Sequence, residues 1–231
     1  MNARKMMKVL AAALLLCLSA VALEAQDFNV FVMGGGSSLF DRHNFVVKSG
    51  PFGSTYSTGG QFTVGAQVPL VSIVSLEGAY GWGQNNLRLT NFGDNIETGY
   101  GVHNQRASGD LVLHSPVGFL GLKPYLDAGL EYDRFTPYGF ATSSFPNFSQ
   151  TVITTGSPVL SPSNKLGFNY GGGLEWKLLP VVGLRLDVRD HVTGAPTFGL
   201  PEQASSSPFF PEKGAAHDLE YSVGIVLHFG K

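Results

Sequence analysis

The chain has 231 residues and a formal net charge of −2 at pH 7; only 14% of its residues are charged, and it contains 30 glycines and 17 phenylalanines. A charge balance near zero without a basic stripe argues against nucleic acid as a partner. Abundant glycine and aromatic residues with little charge favour a β protein with many turns.

The first 25 residues have the pattern of a secretory signal peptide. Basic residues near the start precede an apolar segment, residues 9–21, and small residues follow. We therefore assign residues 1–25 to the signal peptide and residues 26–231 to a single domain. Cys17 is the only cysteine and lies in the predicted signal, so we expect no disulfide or thiol chemistry in the mature protein.

Eight later segments alternate between apolar and polar residues, which is the pattern of β-strands with two different faces. They cover about residues 28–40, 59–68, 70–84, 106–114, 123–135, 165–178, 182–190 and 219–229. No segment shows the sustained apolar spacing of a helix, and none after the signal holds eighteen consecutive apolar residues. The sequence therefore predicts an all-β protein without transmembrane helices.

The connections between these segments alternate in length. Three are short and lie at Pro69, at residues 115–122 and at Pro180. Four are long and cover about residues 41–58, 85–105, 136–164 and 191–216. Because long loops at one end only are unusual in a soluble domain, this layout favours an outer-membrane barrel with tight periplasmic turns and long extracellular loops.

Alternation by itself does not show which face lies outside, and a soluble lipocalin-like barrel with an apolar interior remains an alternative. Aromatic residues near the strand ends favour the membrane barrel, because such residues form girdles at the two interfaces. Those expected toward the long loops are Tyr80, Trp82, Tyr132 and Tyr170, and those toward the turns are Trp176 and Phe229. The chain also lacks the C-terminal amphipathic helix that lipocalins pack against their barrel.

The second face carries acidic and basic residues in mid-strand. We expect them to form a charge network in the lumen, made of Glu77, Asp110, Asp127, Glu131, Glu175, Arg185, Asp187, Arg189 and Glu220. An eight-stranded barrel is wide enough only to be filled by side chains, so such charges would pair across it. The run Arg185, Asp187 and Arg189 is either a salt-bridged plug, which we favour, or the constriction of a small pore.

With these features, the chain resembles the OmpA/OmpX-type outer-membrane β-barrel domain family. The resemblance implies a single eight-stranded antiparallel up-and-down transmembrane barrel in the bacterial outer membrane, surrounded by its lipids. It also implies insertion by the barrel-assembly machinery and a monomeric state. The last strand would carry the assembly signal, with Tyr221, Leu227 and Phe229, although Gly230 and Lys231 follow the aromatic residue that usually ends the family's chains.

Candidate chemistry is sparse. Lipid A deacylases of this barrel size resemble serine hydrolases with a His and a Ser two residues apart, and the nearest match is His191 and Thr193. The glycine runs at residues 34–36 and 171–173 lack the lysine and helix of a phosphate loop, so we expect close packing there instead. We predict no catalytic residues, no cofactor and no metal, and expect His114 and His228 to be hydrogen-bonding lumen residues.

The sequence thus favours a non-enzymatic outer-membrane protein with a structural or surface-interaction role, acting on an unidentified extracellular partner through its long loops. Three alternatives stay open: a narrow porin-like channel, a lipid A-modifying enzyme and a soluble ligand-binding barrel.

Overall fold

A computed structural model of the chain shows a closed antiparallel β-barrel. The structure describes residues 27–40, 42–47, 50–91, 96–144, 149–151, 161–199 and 214–230. The predicted signal peptide lies outside these residues. None of the residues that the structure describes forms a helix long and apolar enough to cross a membrane.

The described part of the chain contains eleven strands. In chain order they are β1 (Phe28–Phe40), β2 (Arg42–Val47), β3 (Gly50–Tyr56), β4 (Gly59–Val71), β5 (Val74–Asn91), β6 (Ile96–His114), β7 (Leu122–Ser144), β8 (Ser149–Thr151), β9 (Ser163–Lys177), β10 (Val182–Gly194) and β11 (Ala215–Phe229).

Eight of these strands form the barrel, in the order β1, β4, β5, β6, β7, β9, β10 and β11, and every neighbouring pair is antiparallel. The ring closes between the first and last strands, from the Phe28–Phe229 pair to the Phe40–His217 pair. Each predicted strand corresponds to one strand of this ring. The predicted up-and-down barrel is therefore confirmed.

The alternating pattern places apolar side chains outside and charged side chains inside. On β10, Leu186 is 50% exposed on the outer surface beside Leu174 and Val223, whereas Arg185 is 1% exposed in the lumen. Because successive side chains point to opposite faces, a one-residue slip of this strand would turn its charges into the lipid. An outer face this apolar rejects the soluble lipocalin-like alternative, in which the same side chains would fill the interior.

The turns agree with the sequence at two of the three predicted positions. Residues 115–121 connect β6 to β7, and residues 178–181 connect β9 to β10. The turn expected at Pro69 is wrong, because β4 continues to Val71 and residues 72–73 make the turn. The register shifts between Pro69 and Val71. A bulge is one of the few places where a strand accepts proline, which has no N–H to donate to the ladder.

The predicted loops at residues 85–105 and 136–164 are largely wrong, since β5, β6 and β7 continue into them with 18, 19 and 23 residues. The loop at 41–58 contains the β2–β3 hairpin, and β3 pairs with β5 beyond the end of β4. Backbone pairing with a neighbouring strand sustains these segments, and where their side chains are described the apolar residues Leu87, Tyr100 and Val102 point inward. We call this extension of β5, β6 and β7, together with β2, β3 and β8, the loop-side wall.

Candidate functional site

The middle of the lumen holds two groups of buried charged side chains. The one nearer the turns, which we call the lower network, consists of Glu77, Asp110, Asp127, Arg185, Asp187 and Arg189. The one nearer the loops, the upper network, consists of Arg106, Glu131, Asp133, His191, Asp218 and Glu220. Alternation along the strands brings all of them to the inner face.

Two arginines of β10 organise the lower network. The Nη1 atom of Arg185 donates to Oε2 of Glu77 at 2.6 Å. Arg189 donates to Asp110 and Asp127 at 3.0 Å and to Glu77 at 3.2 Å. Its partners lie on three successive strands of the opposite part of the ring, so one side chain connects both sides of the lumen.

Aromatic rings hold the Arg185 guanidinium from both sides. Its Cζ lies 4.6 Å from the ring centroid of Phe31 and 4.5 Å from that of Tyr125. Arg185 Nε also donates to the Tyr125 hydroxyl at 2.7 Å, and that hydroxyl donates to Asp187. Guanidinium groups suit such sites because they stack on rings and donate in their own plane at the same time.

Arg106 on β6 organises the upper network. It donates to Asp133 at 2.8 Å on the neighbouring β7, and to Asp218 at 3.1 Å and Glu220 at 3.2 Å on β11, opposite β6 in the ring. These bonds cross the lumen a second time, above the bonds of the lower network. The barrel is thus braced at two levels.

His191 completes the upper network. Its Nδ1 lies 2.5 Å from Oε2 of Glu131, and its Nε2 lies 3.3 Å from Oε2 of Glu220. The Nδ1 contact is a hydrogen bond, whereas Nε2 lies within ion-pair distance of Glu220 without a hydrogen bond to it. His191 is 3% exposed.

Glycines supply the space that these long side chains occupy. A Cβ on Gly129 would lie 2.0 Å from Oδ1 of Asp110, and one on Gly173 would lie 2.4 Å from the Tyr125 hydroxyl. Both positions therefore require glycine. The close approach of Tyr125 to Gly173 explains part of the glycine run at residues 171–173, where the sequence predicts close packing.

Glu175 lies apart from both networks. Its Oε1 is 3.6 Å from Nε2 of His228 near the turn end of the barrel. His228 also contacts Asn29 at 2.9 Å, and His114 contacts Gln67 at 2.9 Å. Glu175 is buried in the lumen as expected, but it does not join the same charge network, because among the described residues its ion pair is with His228 and not with an arginine.

An apolar cap closes the lumen above the upper network. Its members are buried inside the loop end of the barrel: Leu39, Tyr56, Leu87, Tyr100, Val102, Phe135 and Phe198. Phe198 is fully buried and has a φ of 53°, and Gly199 follows with a φ of 80°. The Ser161 amide donates to the Phe198 carbonyl at 2.8 Å. Part of the loop expected at residues 191–216 therefore folds into the mouth of the barrel.

Of the nine residues expected in the lumen, the structure gathers eight into the two networks. Sequence reasoning missed Arg106, Asp133, His191 and Asp218 as members. Asp133 and Asp218 lie on the charged side of an alternating strand, so the pattern could have found both. Arg106 lies four residues from Asp110 and His191 two residues from Arg189, so the same alternation places both on the lumen side; their partners lie on other strands and could not be read from it.

The aromatic residues expected at the interfaces lie on the outer face. Tyr80, Trp82 and Tyr170 are 39–48% exposed on the loop side, with Tyr132 half-buried among them, and Trp176 is 44% exposed on the turn side. Of the expected assembly signal, Tyr221, Leu227 and Phe229 face outward on β11, and the Phe229 ring stacks on Phe28 with centroids 4.7 Å apart.

The two networks contain more acid than base. Eight carboxylates face three guanidinium groups and one imidazole among the described residues. In the same part of the chain, no group of three or more His, Cys, Asp or Glu side chains is placed to hold a metal ion. Chemically, the arrangement joins strands across the lumen and fills the lumen with paired charged side chains.

The sequence and the fold were compared with known protein families and solved structures. The model of the outer membrane protein beta-barrel domain family matches residues 10–226. Among solved structures, OprG from Pseudomonas aeruginosa is similar with a TM-score of 0.55 and 13% identity, covering 90% of this chain and 97% of OprG.

Two further barrels are similar at lower scores. The N-terminal domain of Pseudomonas aeruginosa OprF has a TM-score of 0.43 and 14% identity, covering 89% of this chain and 98% of that one. Neisserial surface protein A has a TM-score of 0.46 and 14% identity, and the match covers 87% of this chain and 96% of that one. A comparison with curated protein sequences gave no match. The closed eight-stranded ring and the family match over most of the sequence give one conclusion: this chain belongs to the outer membrane protein β-barrel domain family.

Proposed function

We propose that this outer-membrane barrel is not an enzyme, and that it has a structural or surface-interaction role carried by its loop-side wall. The observation that carries this proposal is the length of the wall. A transmembrane strand needs about 9–11 residues, whereas β5, β6 and β7 have 18, 19 and 23.

The surplus length lies on one side. The apolar, exposed residues of β7 end near Leu130, and the strand continues for fourteen residues to Ser144. At the other end, β6 and β7 are joined within residues 115–121. A rigid sheet that extends beyond the lipid offers a larger and better ordered contact surface than free loops would.

The sealed lumen supports an interaction role over transport. Two levels of arginine bridges cross it, and the apolar cap lies above them. A narrow channel is the second candidate, and the surplus of carboxylates favours cations as its permeant ions. It would require both the networks and the cap to move.

The position of His191 supports the absence of enzymatic activity. His191 and Thr193 are 3% and 6% exposed on the lumen side, and the ring nitrogens of His191 face the carboxylates of Glu131 and Glu220. A lipid A deacylase needs its base and nucleophile open to the membrane.

We also propose that residues 1–25 direct export, and that the assembly machinery inserts the barrel as a monomer.

A shortened wall tests the main proposal. A short Asn-Gly turn placed after the Asn86–Gly101 pair would remove the top of the β5–β6 hairpin and keep the register below it. We expect cells with this variant to lose surface adhesion or autoaggregation while the barrel still inserts. Planar bilayers that contain the native barrel should show no stepwise conductance. The masses of lipid A should be the same in a strain that lacks the protein as in the parent strain. Steady cation conductance by the native barrel would favour the channel instead.

A further inference from the structure

The outer face of the barrel changes character between two adjacent rows of residues. One row is apolar and aromatic, and antiparallel pairing joins Val64, Tyr80, Ala107, Tyr132 and Leu166 across five strands. The next row toward the loops consists of Phe62, Trp82, Gln105 and Arg134. Within it, Gln105 and Arg134 are polar side chains beside the girdle residue Trp82, and this position corresponds to the level of lipid headgroups.

Arg134 is the cation of this row, and its surroundings bear on what it can bind. It lies on the outer face of β7, and among the described residues no carboxylate pairs with it and its buried Nε has no hydrogen-bond partner. A cation that the protein leaves unpaired at a membrane interface is suited to an anion from outside the chain.

The acidic residue at the same interface is paired within the protein. Asp190 on β10 accepts from the Tyr170 hydroxyl at 2.8 Å and lies 2.9 Å from Nδ1 of His217. Asp190 therefore has two partners within the protein, whereas Arg134 has no carboxylate partner among the described residues. The two sides of the barrel differ in what they offer to the outer leaflet.

A platform of rings lies beside Arg134. The His103 ring stacks on Tyr138 with centroids 4.0 Å apart and an interplanar angle of 12°, and Trp82 lies 5.1 Å from His103. Tyr138 is flat against the strand because Gly101 beneath it has no side chain, and a Cβ there would lie 2.3 Å from its Cζ. Flat aromatic faces next to a cation suit a sugar ring that carries a phosphate.

We propose that Trp82, His103, Arg134 and Tyr138 form a binding site for the phosphorylated sugar headgroup of an outer-leaflet lipid. The planar guanidinium binds phosphate oxygens in pairs, and the aromatic faces pack against the C–H face of the sugar. The acyl chains then lie along the apolar row of Tyr80 and Tyr132. Such a lipid fixes the depth and rotation of the barrel beneath its wall, which goes beyond the proposed surface role.

Tryptophan fluorescence tests the site, because Trp82 and Trp176 are the only tryptophans in the chain. A Trp176→Phe variant, folded in phosphatidylcholine vesicles, leaves Trp82 as the single reporter. We expect a saturable change in its emission when the vesicles contain increasing fractions of lipid A. Arg134→Gln should weaken the response at least about tenfold, and Arg134→Lys should retain part of it, because the charge remains but the paired geometry is lost. Gln105→Ala, in the same row, is the matched control and should respond normally.

Two further titrations separate the sources of phosphate. Lipid A without its phosphates, and inorganic phosphate added to plain phosphatidylcholine vesicles, should both give little response. Saturation by inorganic phosphate in the same concentration range would overturn the headgroup assignment, as would an equal response to dephosphorylated lipid or an unchanged response in Arg134→Gln. Heat-dependent migration on gels confirms that each variant is folded, so a lost response reports the site and not the barrel.

Discussion

The guanidinium of Arg185 and the carboxylate of Glu77 meet at 2.6 Å across the lumen, although 108 residues separate them in the chain. They lie on β10 and β5, which are opposite in the ring. Each side chain is only 1% exposed. This pair therefore exists only when the barrel is closed, and its loss reports on the whole ring.

Arg185→Met should destabilise the barrel by about 3–5 kcal/mol, because Glu77 and Asp187 would stay buried and share Arg189 as their remaining cation. Urea refolding in lipid vesicles measures the change in unfolding free energy. Lys123→Ala, at an exposed position near the turns, is the control and should change stability by less than about 0.5 kcal/mol. In the double variant with Glu77→Met, part of the stability should return. A loss for Arg185→Met no larger than that of the control would contradict the bridging role.

Leu186→Arg should cost about 2–4 kcal/mol, as a charge does near the bilayer midplane. Asp187→Asn, one residue away in the lumen, should not meet that lipid penalty. A fluorophore at position 186 should be quenched by lipid-soluble reagents and not by water-soluble ones. The reverse quenching pattern would mean that this face of β10 is not against lipid.

Removal of β11, or Phe229→Ala, should block insertion into the outer membrane. Without β11, the edges of β1 and β10 would keep unpaired backbone groups in lipid. The single substitution removes the ring that stacks on Phe28 at the closing pair. Immunoblots of fractionated membranes measure the outcome, and normal membrane levels of the truncated chain would sink the prediction.

Phe198→Ala should open the apolar cap to water. The cap excludes reagents from Leu87, which is fully buried next to Phe198. In a Leu87→Cys background, a membrane-impermeant maleimide should label the cysteine much faster when Phe198 is also replaced. A cysteine at Val226, in the separate buried cluster near the turns, serves as the control and should label equally slowly in both backgrounds. Equal labelling at position 87 would show that Phe198 does not seal the mouth.

The sequence by itself determined the barrel, its eight strands and the face on which each charge lies. Alternation is a local property, and residues such as Leu186 and Asp187 keep it whatever the rest of the chain does. Tyr80 and Trp82 lie near the end of their predicted strand, so the sequence also places them close to the loops. What these patterns lack is the register between strands, which decides which side chains meet across the lumen.

Tertiary structure decided the partners of each charge and the shape of the loop side. Arg106 meets Asp218 and Glu220 only because closure sets β6 opposite β11. Phe198 enters the lumen from a segment whose sequence has no periodicity, because an apolar mouth built by four other strands and a hairpin surrounds it. The upper parts of β5 and β6 persist for a similar reason: they pair with each other and direct Leu87, Tyr100 and Val102 into the same apolar mouth.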